Sequence, residues 1–227
     1  MTRIYEISDQ LVEKIASIHP IAATSLGVPG YEKELGDFSP EGISESANLA
    51  RNTLTKLKDV PIEDDADRRA KEVMEEDLKA DVDSYERGEP FRKLNILSSP
   101  LQNIRMVFDY MPQESTEDWE NIASRLSKVP DALNGYKQTL RHGINENLVS
   151  TKRQTSECSK QALTHSGRTH STSFFTDLLD SFNQSNISSE SLGSDIKTGV
   201  ESAMTCLLYT SDAADERSSV DLGGRRI

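Results

Sequence analysis

The chain has 227 residues and a formal net charge of −12, with 35% hydrophobic, 28% charged and 6% aromatic residues. That is enough for one large domain or two small ones with a real core, and too apolar for a disordered chain. The acidic balance excludes a broad phosphate-binding surface, so nucleic acid is not an expected partner, and no run approaches the roughly 18 apolar residues of a membrane span.

From Ile4 to Ile18, the residues Ile4, Ile7, Leu11, Ile15 and Ile18 recur every three or four positions and predict an amphipathic helix. Pro20 is expected to close it, because the residue before a proline disfavours the α region. Residues 27–38, with Gly27, Pro29-Gly30 and Gly36, read as a turn-rich loop. Ser39-Pro40-Glu41 then opens a helix with a cap, a preset first position and an acid at the positive dipole end. Its stripe is Ile43, Ala47, Ala50, Leu54 and Leu57, and Asp59-Val60-Pro61 ends it. A third helix over 64–85 carries Ala66, Ala70, Met74, Leu78, Val82 and Tyr85 beneath a densely charged outer face. Glu75 and Lys79 form a favourable pair on that face.

Ser99-Pro100 repeats the capped start, and Leu101, Ile104, Val107, Phe108 and Met111 make a short helix that Pro112 stops. Ser115 with Asp118 resembles a capping box, followed by Trp119, Ile122, Leu126 and Val129 on one face. Pro130 is expected to open or kink into a further helix with Leu133, Tyr136 and Leu140, giving a bent pair. Thr151 and Gln154 offer another capping box. Beyond them the chain turns rich in Ser and Thr, yet helical spacing persists in Phe174–Phe182 and Leu192–Met204. HSGRTHSTS, between them, reads as a flexible connection. No strand alternation is present, so the fold class is all-α, an irregular array of many helices.

Few residues invite a chemical role. His165 and His170 form H-x4-H near Cys158, but the spacing is wrong for a helical zinc pair and no acid lies between them. His19 and His142 sit near helix ends, where a positive charge suits the dipole. Asp64, Asp65 and Asp67 lack the spacing and glycine of a calcium loop and read as first-turn acids. Cys158 and Cys206 are isolated, which suits a reducing compartment without a disulfide. The HExxH, GxSxG, Walker and Rossmann patterns are all missing. No catalytic, cofactor-binding or metal residue is therefore assigned. The N-terminus has no continuous apolar core of a signal peptide, so a cytoplasmic location is expected.

ATSLGVPGYEKELGDFSPEG (Ala23 to Gly42) and SSPLQNIRMVFDYMPQESTEDWENIASRLSKVPDALNGYKQTL (Ser98 to Leu140) resemble the bacterial family known as domain of unknown function 885. The resemblance covers about residues 5–204. It implies a long, almost wholly helical parent similar to HExxH zinc peptidases, with a zinc helix far toward its C-terminus. On that reading residues 1–205 are the N-terminal helical part of a larger domain, and the missing C-terminal region is its partner. Zinc and a peptide substrate would belong to the full-length protein. CLLYTSDAADERSSVDLGGRRI (Cys206 to Ile227) departs from the family and resembles translated sequencing adapter, so 206–227 is expected to be a non-native, disordered tail. A truncated fold would leave the Ile43–Leu57 and Trp119–Leu140 stripes short of partners and expose an apolar patch near 174–204. The alternative function is an acidic helical binding module without catalysis.

Overall fold

The structure, a computed structural model, describes residues 2–169 and 173–220, with side chains through Tyr209. Among these residues all regular structure is helical: α1 (Arg3–Ile18), α2 (Pro20–Leu26), α3 (Pro40–Leu57), α4 (Asp65–Glu86), α5 (Pro100–Met106), α6 (Thr116–Asn145), α7 (Lys152–His165), α8 (Phe174–Gln184) and α9 (Glu190–Val220). Short 3-10 turns follow α4 and α5.

The starts are set by local chemistry. Ser39 Oγ accepts from Gly42 N at 3.3 Å, and Asp64 accepts from Asp67 N at 2.8 Å. Ser115 accepts from Asp118 N at 3.1 Å while the Asp118 carboxylate takes Ser115 N at 2.8 Å, a reciprocal cap. The Thr151 cap is one-sided, because Gln154 Oε1 is buried without a partner among the described residues. On α4, Lys79 pairs with Glu75 at 3.0 Å, but both reach solvent and the pair adds little.

Two apolar cores follow. A small one joins α1, α3 and α4 through Ile7, Ala50, Leu57 and Leu78. The main core gathers α5–α9 around Trp119, Leu126, Leu133 and Ile196, each at most 1% exposed. Helix α9 lies along both α6 and α7, its two most extensive contacts. Gly199 permits the approach, since a Cβ there would stand 2.7 Å from Leu126 Cβ.

Four expectations change. Pro20 does not only end α1; it is the first residue of α2, a position where its missing N–H costs nothing. Pro130 does not split the helix at 116–145: α6 runs through it, because Leu126, Val129 and Leu133 stay buried on the same face across the lost hydrogen bond. The stripes expected to lack partners find them within this chain, and Phe175, Leu178, Phe182, Leu192 and Val200 are buried rather than forming a patch. Finally, packing passes the expected limit at 205. Cys206 and Leu207 are buried in the main core, with Cys206 Sγ 3.8 Å from Pro130 O. The segment 221–227 and part of HSGRTHSTS (170–172) lie outside the described residues.

Replacing Leu207, 3% exposed, by Ala should lower the unfolding free energy by about 2–5 kcal/mol in a denaturant titration. Tyr209→Ala, at a site 63% exposed, should change it by less than about 0.5 kcal/mol. Equal, small effects would put the end of the packed chain before Cys206.

Candidate functional site

The Pro20–Gly42 segment is folded against the middle of α6, and one side chain does most of the fastening. Arg125 is fully buried. Its Nε donates to Glu34 O at 2.8 Å, and its Nη2 donates to Tyr31 O and Thr24 Oγ1, both at 2.9 Å. Burial pushes its guanidinium down to about 10, against the pull of Glu32 and Glu34. Further along α6, Thr139 Oγ1 donates to Phe38 O at 2.6 Å, and Tyr136 donates to Lys93 O at 2.7 Å. Gly36 has φ of 88°, and a Cβ there would lie 2.9 Å from Ile18 O, so glycine lets the loop close on the end of α1.

This clamp leaves a cleft of about 600 Å³ between α2, the 27–38 loop, the start of α3 and helix α5. Its walls are mostly apolar, with Ile21, Leu26, Leu35, Phe38, Met106 and Val107 contributing. Most polar side chains in the lining are already engaged. Ser25 donates to Ile21 O, Thr139 to Phe38 O, and Ser46 to Gly42 O at 3.2 Å. Asp37, the lining's carboxylate, accepts from Ser39 N at 2.8 Å and Ser39 Oγ at 2.9 Å. Lys93, Asn103 and the Tyr110 hydroxyl also line the cleft, and their side chains make no hydrogen bond within the described residues.

Of the residues weighed from sequence, only His19 reaches this cleft. Its Nε2 is 3.0 Å from Ser46 Oγ. His142 packs against Phe91 with the rings tilted by 48° and their centroids 4.5 Å apart, and His165 closes α7. His170 lies outside the described residues. Asp64 caps α4 and Asp65 pairs with Arg68 and Arg69. Asp67 is buried and takes the Thr2 hydroxyl at 2.6 Å and Glu63 N at 3.2 Å. Both thiols are free and buried; burial pushes Cys158 up to about 11, and Cys206 is also raised. No group of three His, Cys, Asp or Glu side chains among the described residues is placed to hold a metal ion. None of the described helices is long and apolar enough to cross a membrane. Sequence reasoning missed Arg125. Its signal was its spacing, three residues after Ile122 and four before Val129, which puts it on the buried face of α6.

An all-helical array around a mostly apolar cleft is the class that fold and site define. The chain belongs to the family of bacterial proteins of unknown function DUF885, whose model matches residues 20–208. Among solved structures it is similar to a Shewanella oneidensis protein described as a "putative lipoprotein of unknown function", with a TM-score of 0.75 at 14% identity. The match covers 100% of this chain and 40% of that one, so the chain spans well under half the length of its structural neighbour. No curated protein matches the chain.

The histidines give the fold an acid sensitivity. Burial lowers the pKa of His19, partly opposed by Asp81 and Glu45, and burial together with Arg105 lowers that of His165. Above about pH 6.5 both are neutral in the folded and unfolded chain. Below it the unfolded chain takes up protons first, so stability falls as pH drops toward the lowered folded values. His19→Gln should therefore shrink the loss of unfolding free energy between about pH 7 and pH 5, and adding His165→Gln should shrink it further. Urea titrations at the two pH values measure this. An unchanged difference would remove these histidines as its source.

Proposed function

We propose that this chain is the N-terminal helical part of a zinc-peptidase-like hydrolase, in which it walls one side of the substrate channel and supplies no metal ligand. The cleft carries the reading: it is large enough for one or two side chains, mostly apolar, and lined almost wholly by residues that the family model matches. The reaction class comes from the family resemblance, because a helical array alone supports many functions. Zinc does not fit the described residues. His19, His142 and His165 stand at three separate helix ends, whereas a catalytic zinc needs about three converging protein ligands. Metal, base and nucleophilic water would come from elsewhere in a longer family protein.

A second reading, an acidic helical binding module, is favoured by one observation. The faces of α3 and α6 are covered within this chain, as a self-standing domain requires.

Amide NMR with short apolar peptides tests the first reading. Shifts should concentrate on residues 18–26, 35–43 and 103–110, with no peptide turnover. Dialysed protein should hold well under one equivalent of zinc. Stoichiometric zinc lost in His165→Ala, or turnover by the chain alone, would overturn the division of labour. Unmoved cleft amides would favour the binding module.

A further inference from the structure

The polar groups left over in the cleft define what it accepts. The chain carries a net charge of −12, yet the one carboxylate in the lining, Asp37, is consumed in the cap of α3. The uncommitted side chains are the Lys93 ammonium, the Asn103 amide and the Tyr110 hydroxyl, and none is an obligate acceptor. Lys93 also borders a second depression that Arg87, Glu89 and Arg92 share, a net positive surrounding even though Arg92 pairs with Glu89 at 2.7 Å. His19, also in the lining, lies in the field of Asp81 and Glu45 and is unfavourable to an anion. The rest of the lining is largely aliphatic and aromatic, and Leu26 and Tyr110 stand exposed at 77% and 54%.

We infer that the cleft binds an apolar carboxylate, its hydrophobic body along Ile21, Leu35 and Val107 and its carboxylate held by Lys93 and Asn103. A charge-assisted hydrogen bond from Lys93 and an amide donation from Asn103, both lining residues, suit the two oxygens of one carboxylate. The apolar walls supply affinity and the single cation supplies orientation. The free C-terminus of an apolar peptide and a medium-chain fatty acid both carry this chemistry. The peptide case rests on the channel reading above; the fatty-acid case does not.

Calorimetric titration of the whole chain separates the cases, using N-acetyl-Phe-Leu, the same dipeptide as its C-terminal amide, and dodecanoate. The acid form should bind about tenfold more tightly than the amide. Lys93→Gln should erase that preference without changing the thermal midpoint, since Lys93 is exposed and unpaired. Ala22→Trp, filling the cleft from α2, should abolish binding of both dipeptides. Dodecanoate binding that depends on Lys93, without either dipeptide, would support the carboxylate site and count against the peptide channel. Dipeptide acid and amide binding equally would overturn the carboxylate site and leave the channel standing. Binding that survives Ala22→Trp would overturn the location, and no binding by any probe would overturn both.

Discussion

The Arg125 guanidinium is the constraint on which the arrangement around the cleft depends. Three acceptors separated from it by 91 to 101 residues converge on its Nε and Nη2. A buried cation is costly to desolvate, and each hydrogen bond from a charged donor returns about 1.5–3 kcal/mol. Two of its partners are main-chain carbonyls of the 27–38 loop, Glu34 O and Tyr31 O, the latter also accepting from Glu34 N at 3.1 Å. The residue therefore both satisfies the loop backbone and fixes its height over α6. Leu35 is 2% exposed in the main core, and Gly36 turns against the end of α1. The two cores are joined across this loop, so the shape of the cleft follows from where Arg125 holds it.

The cleft has apolar walls, a cation and neutral donors, with its carboxylate committed to a helix cap. Ser46 and His19 are in contact at 3.0 Å, but Ser46 also donates to Gly42 O, as serines inside helices commonly do. The chain belongs to a family of unknown function and spans 40% of the length of its structural neighbour.

Much of the fold was legible because helix starts are local. Ser39, Asp64, Ser115 and Thr151 each cap the backbone N–H two or three positions on, so the signal lies within four residues of sequence. The stripes of α3, α6 and α9 were legible for the same reason, since a period of 3.6 requires only neighbours along the chain. Prolines misled twice because they mark a lost hydrogen bond, not the outcome. At Pro20 the loss falls in a first turn, and at Pro130 burial on either side outweighs it.

The sequence by itself determined most of the helices, the acidic outer faces and the family, because each depends on short-range pattern or residue-by-residue likeness. Tertiary structure alone decided that Arg125 is buried, that Cys206 and Leu207 join the core, and that His19, Lys93 and Asn103 border one cleft. Those facts depend on contacts between segments tens of residues apart. An arginine, a lysine or a histidine on a helix has the same local signature whether it meets water or ninety-residue-distant carbonyls. Only the crossing of α6 beneath the 27–38 loop distinguishes the two.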